Sequence, residues 1–193
     1  AAQLVENQWM QFALQTVAAS AADLAQVEVE SDALRVVWPH LAKLFGGARI
    51  SAAVLDDPDA CEARIVILTG ARHKEPMGNL ALKGTVVGTA IFSGRAVCVE
   101  DLTTSPYREA ETLAQLGLRS TMVQPFEIDG RVFGTINLGS TEVAAFGPAD
   151  TAILRQICVL LGGAMRAARM LSRAEQSRRL AEEALKTKAR FLA

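Results

Sequence analysis

Few residues of this chain could do chemistry. The two histidines, His40 and His73, lie far apart, His40 after Pro39 on a helical pattern and His73 in the polar run Arg72-His73-Lys74-Glu75. Neither belongs to a spaced His/Cys/carboxylate set of the kind that holds iron, haem or zinc. Both are expected at the surface, and no metal site is expected. The three cysteines, Cys61, Cys98 and Cys158, are too few and too scattered for an iron–sulfur cluster or a disulfide framework. Cys98 alternates with Val97 and Val99 and is expected as a small buried apolar residue. Gly139-Ser140 has no second glycine to make a nucleophile elbow. Gly84-Thr85-Val86-Val87-Gly88 lacks the Lys-Ser/Thr ending of a phosphate-cradling loop. No enzyme is read from these residues.

The elements around them are legible from hydrophobic period. Leu4 to Val27 spaces Val5, Trp9, Phe12, Ala13, Val17, Ala21 and Leu24 mostly three or four apart, which predicts an amphipathic helix. Ser31 is the expected cap of a second helix, which carries Leu34, Val37, Trp38, Leu41 and Leu44, with Pro39 inside it, and stops at Gly46-Gly47. Strands are expected at Ile50–Leu55, Arg64–Thr69, Asn79–Lys83, Ala96–Val99, Ser120–Ile128 and Arg131–Gly139. Asp129-Gly130 joins the last two as a hairpin turn. Short helices are expected at Val86–Phe92 and Glu109–Leu116. Pro148 opens a final helix of about 40 residues, with Asp150 near its positive end. This is an α+β pattern: a central antiparallel sheet of about six strands, flanked by helices, with long helices at both ends.

Half of the 193 residues are apolar and 5% are aromatic, which excludes a disordered chain. The longest apolar run, Ile157 to Met165, is far shorter than a membrane span, and no membrane insertion is expected. No secretory leader is recognised, and the odd, scattered cysteines fit a reducing compartment. The expected location is cytoplasmic. Charge is uneven: residues 1–165 hold 12 basic and 18 acidic residues, and residues 166–193 hold 8 and 3. The basic tail raises nucleic acid as a partner, but it has no aromatic platform beyond Phe191. A solvated helix face is the preferred reading.

The ordered pieces Gly84-Thr85-Val86-Val87-Gly88, Gly94 to Leu102, Leu116-Gly117-Leu118-Arg119-Ser120, Gly130 to Leu138 and Phe146-Gly147-Pro148-Ala149-Asp150 together resemble a GAF domain. The resemblance covers roughly Ser31 to Met165. It divides the chain into an N-terminal helix (1–30), a sensory domain (31–165) and a signalling helix or coiled coil (166–193). The segment from Glu183 to Ala193 is similar to the lead-in of the phosphoacceptor helix of sensor histidine kinases, "K-x-x-F-L-A" before "N-M-S-H-E". The two resemblances together imply the sensory and dimerisation module of a two-component kinase. Its downstream kinase core and response regulator would lie elsewhere, and the chain itself would not be an enzyme.

In that fold a small-molecule pocket would take apolar walls from Leu82, Val86, Ile91, Tyr107, Met122 and Val123, and polar groups from Arg72, Asp101 and Thr121. Its ligand is not identified, and no cofactor is assigned. The cyclic-nucleotide signature "N-K … F-x-x-x-D-E" is incomplete, because Asn137, Phe146 and Asp150 are present without the Lys and the Glu. Those three are read as structural. A bilin would need a thiol between Thr103 and Gly117, where there is none. The terminal helices are expected to form a parallel homodimer through Trp9 and Phe12 and through a heptad with Ile157, Ala164, Leu171, Arg178 and Leu185 at a and Leu160 at d. The rival readings are a cyclic-nucleotide-like small-molecule sensor, a redox or metal sensor using Cys98 or His73, a nucleic-acid-binding regulator using the basic tail, and a free-standing methionine sulfoxide reductase, which would need reactive pocket cysteines.

Overall fold

The computed structural model describes residues 2–68 and 76–191. Helix α1 (Ala2–Leu24) leads through a single 3-10 turn (Glu30–Asp32) into α2 (Ala33–Leu44). Strands β1 (Arg49–Val54), β2 (Glu62–Ile67) and β3 (Pro76–Ala81) follow, then α3 (Val86–Ser93) and β4 (Val97–Val99). The short α4 (Ala110–Gln115), the hairpin β5 (Ser120–Ile128) and β6 (Arg131–Ser140), and α5 (Pro148–Phe191) complete the chain. The six strands form one antiparallel sheet in the order β3-β2-β1-β6-β5-β4. Sequence period located these elements to within a few residues.

The hairpin turns on Asp129 and Gly130, both with positive φ (53° and 75°), as a two-residue loop of this twist requires. The second helix begins differently from expectation. Ser31 lies within the 3-10 turn, and Asp32 precedes α2 without a side-chain capping bond.

Alternation along the strands divides the core in two. On one face Ile50, Ala52, Met122, Phe126, Ile136 and Leu138 pack under α1, α2 and the first half of α5, where Ile153, Leu154, Ile157 and Leu161 are buried. On the other, Ala53 and Val123 pack with Leu82, Val86, Val87, Ala90 and Ile91, around α3. By length and composition α5 could cross a bilayer, but half of its most apolar window is buried inside this domain.

Candidate functional site

The motif around α3 has a packing cause. Thr85 caps the helix, its hydroxyl accepting the Gly88 N–H (2.9 Å) and donating to the Leu82 carbonyl (2.7 Å). A Cβ on Gly88 would stand 1.9 Å from the Leu82 carbonyl oxygen, so only glycine lets α3 sit this low on the preceding turn. Gly94 ends the helix in the left-handed region, with φ 64°.

Between α3, α4 and this face of the sheet lies a cavity of about 250 Å³. Ile65, Ile67, Val86, Val87, Leu113 and Val123 supply apolar wall; Ser51, Glu109, Thr121 and Asn137 supply polar groups. Thr121 Oγ1 donates to the Leu138 carbonyl (2.8 Å). Asn137 Oδ1 accepts from the Thr135 hydroxyl (2.7 Å), and its Nδ2 donates to Ser51 Oγ (3.3 Å). A larger groove of about 670 Å³ lies on the opposite face, between α2 and β2, lined by Trp38, Leu34, Val66 and Met165. The smaller cavity is the better candidate site, because a half-buried carboxylate with one fully buried oxygen and several other polar side chains converge on it.

Of the residues expected there, Val86, Thr121 and Val123 line the cavity. Leu82 and Ile91 are buried in the α3 core, and Tyr107 packs at its edge. Met122 belongs to the other face: strand alternation turns it toward α5, where it meets the Thr151 hydroxyl (3.2 Å), so its assignment to the pocket is corrected. Asp101 braces a loop, with Oδ1 accepting from the Thr103 N–H (3.0 Å) and hydroxyl (2.7 Å) and Oδ2 from Arg119 (3.0 Å). These donors hold its carboxyl down at about 2. Arg72 and His73 lie outside the described residues.

Glu109 was missed. It sits just before α4, yet its Oε1 accepts the Val86 N–H at the start of α3 (2.5 Å), 23 residues back in the chain. Burial pushes its carboxyl up, and Oε2 is buried with no hydrogen-bond partner among the described residues. No local spacing signals such a contact; only the folded sheet brings the two segments together.

Two other expectations are corrected. His40 is 5% exposed, with Nε2 2.7 Å from Asp23 Oδ2, because α1 closes over it. Cys98 is exposed: β4 is an edge strand, and the register with Met122 turns the thiol toward the α5 side. Cys61 is exposed just before β2, while Cys158, on α5 itself, is buried against β5 with its thiol pushed far up by desolvation. None of the three lines the cavity. The terminal helices are mixed. Trp9, Leu160 and Ala164 are half-buried against their own core, whereas Phe12, Leu171, Arg178 and Leu185 are exposed. Ile157 is fully buried under the sheet, so its place in a dimer seam is corrected: it packs inside its own domain.

Together these elements make one α+β domain: a six-stranded antiparallel sheet with a helical layer on one face and a small cavity beside α3 and α4 on the other. Residues 29–166 match the family model described as GAF domain, and the chain belongs to that family. No curated protein sequence matches the chain. Among solved structures, the GAF domain of a phosphoenolpyruvate-protein phosphotransferase from Acinetobacter is similar at TM-score 0.67 and 15% identity, over 84% of this chain and 98% of that one. A free methionine-R-sulfoxide reductase from Neisseria meningitidis, in complex with its substrate, is similar at TM-score 0.66 and 20% identity, over 82% and 90%. The GAF domain of a two-component sensor histidine kinase from Bacillus halodurans is similar at TM-score 0.62 and 17% identity, over 76% and 99%. At these identities the likeness concerns the fold.

Proposed function

We propose that this GAF domain is the cytoplasmic sensory and dimerisation module of a two-component sensor histidine kinase. A change at the cavity or in dimer packing shifts α5, and α5 biases two arrangements of a downstream kinase core that phosphorylates a response regulator. The carrying observation is the division of one unbroken helix. From Ile153 to Ala168 α5 is part of the domain core, and from 170 to 186 every residue is exposed, Leu171, Leu180 and Leu185 included. A rigid rod rooted in the core and bare beyond it suits transmission better than storage of a ligand. The kinase assignment draws on the resemblance of residues 183–193 to a phosphoacceptor lead-in. The exposed stripe of Leu171, Ala174, Arg178, Ala181 and Leu185 suits a marginal parallel coiled coil, in which Arg178 at an a position weakens the seam and helps fix its alignment.

The test joins the chain in frame to a histidine kinase core and varies the length of α5 after Ser177. Insertion of one heptad should preserve autophosphorylation, and insertion of a half-heptad should invert or abolish it. Sedimentation of the unfused chain should give a dimer that L171D with L185D dissociates. A monomeric chain, or kinase activity indifferent to register, would overturn the reading.

A further inference from the structure

Glu109 is the single carboxylate among the described residues of the cavity wall; backbone N–H groups at the start of α3 and the Arg108 charge favour its ionised form, yet one of its oxygens makes no hydrogen bond among the described residues. Oε1 is committed to the Val86 N–H, while Oε2 is buried and unpartnered among the described residues. The neighbouring polar side chains answer one another: Thr121 to a backbone carbonyl, Asn137 to Thr135 and Ser51. Arg49, also in the wall, has contacts of its own. Among the described wall residues, the buried side-chain polar atom left without a hydrogen bond is thus Glu109 Oε2, which calls for a donor. An unmet buried acceptor costs about 1–3 kcal/mol, and more when charged.

We propose that the cavity binds a small, largely apolar monocation of the primary-amine type, with its nitrogen on Glu109 Oε2 and its hydrocarbon or aromatic body against Val86, Ile67, Leu113 and Val123. This rests on the reading of the domain as a ligand-responsive module and names the ligand's class. Size follows from the volume: about 250 Å³ lies below the roughly 300–1,000 Å³ of sites for drug-sized ligands. Charge follows from burial, since a carboxylate oxygen taken out of water is costly unless an opposite charge and a hydrogen bond meet it. Burial already raises the Glu109 carboxyl, and a bound ammonium would draw it back down. The response has a route. The carboxylate that meets the ligand also caps the first turn of α3, so occupancy of Oε2 alters the electron density and position of Oε1 at Val86.

The experiment is a titration of the full chain with phenethylamine, 2-phenylethanol and 3-phenylpropionate, followed by amide NMR. Phenethylamine should shift Val86, Val87, Thr121 and Val123 saturably and bind at least about tenfold tighter than the other two. E109Q should lose about tenfold or more in phenethylamine affinity while keeping its fold, because the new side-chain carbonyl can still accept from Val86. Preferred binding of 3-phenylpropionate, unchanged affinity in E109Q, or no binding of phenethylamine at millimolar concentration would each overturn the proposal. The α5 register experiment uses no ligand, so failure here and failure of the sensory reading are separately visible.

Discussion

Arg169 on α5 grips Glu30 in the turn before α2 with both arms of its guanidinium, Nε on Oε2 at 2.5 Å and Nη2 on Oε1 at 2.6 Å. The same guanidinium lies 4.1 Å over the Phe133 ring of β6. The clasp falls one residue after Ala168, the last buried position of α5 among the described residues. It therefore joins the sheet, the α1–α2 connection and the root of the exposed rod at one point. Both side chains are about 70% covered, so solvent screens the pair only partly.

R169K should cost about 1–2 kcal/mol, since an ammonium keeps the charge but loses the fork and the stacking on Phe133. In a double-mutant cycle with E30Q the two changes should couple rather than add. Hydrogen exchange should quicken in residues 166–180 of R169K and stay unchanged in β5. Additive energies, or exchange unchanged along α5, would show that the clasp does not anchor the rod.

Neighbouring glycines on α5 should respond in opposite directions. A Cβ at Gly162 would stand 2.1 Å from the Glu127 carbonyl oxygen, because helix and hairpin touch backbone to backbone there. Gly163 meets nothing within 4 Å. G162A should destabilise by about 1–3 kcal/mol through overpacking, while G163A should stabilise by up to about 1 kcal/mol through helix propensity. Urea unfolding of the two variants decides it, and equal effects would place the helix further from the hairpin.

What sequence conveyed and what it withheld divide along chain separation. The β5–β6 hairpin was legible because Asp129-Gly130 is a local instruction, and the start of α5 was legible because Pro148 is another. Met122 was misassigned although its strand was read correctly, since alternation fixes which residues share a face but not which face holds the cavity. His40 was expected outside because its burial depends on Asp23, 17 residues back on another helix. Glu109 with Val86 and Arg169 with Glu30 are contacts across 23 and 139 residues, and no spacing rule reaches them.

The thiols offer a direct check on the seating of α5 against the sheet. Cys61 and Cys98 are exposed, whereas Cys158 is buried with its thiol pushed up by desolvation. A disulfide reagent at neutral pH should therefore titrate two thiols in the folded chain and the third only on unfolding. C158S should leave the fast phase unchanged, and C98S should remove half of it. A third fast thiol would mean that α5 does not stay seated on β5.

Asp101 carries the prediction with a defined pH window. Its carboxylate accepts from Thr103 twice and from Arg119, and those bonds, to the charged form, lower its pKa from 3.8 to about 2. Between those values the unfolded chain binds more protons than the folded one. The contribution of Asp101 is thus fully present above about 3.8 and is lost as pH falls toward 2. D101N should be less stable than the parent chain at neutral pH, and the gap should close as pH falls through that window. Subtracting the two urea stability profiles isolates Asp101 from the other carboxylates. A constant gap down to pH 2 would mean that Asp101 acts through neutral hydrogen bonds alone. Because Asp101 and Arg119 bracket α4, which roofs the cavity, D101N should also weaken phenethylamine binding without moving its preference over 3-phenylpropionate. E109Q should move that preference, and the contrast separates the residue that holds the roof from the one that meets the ligand.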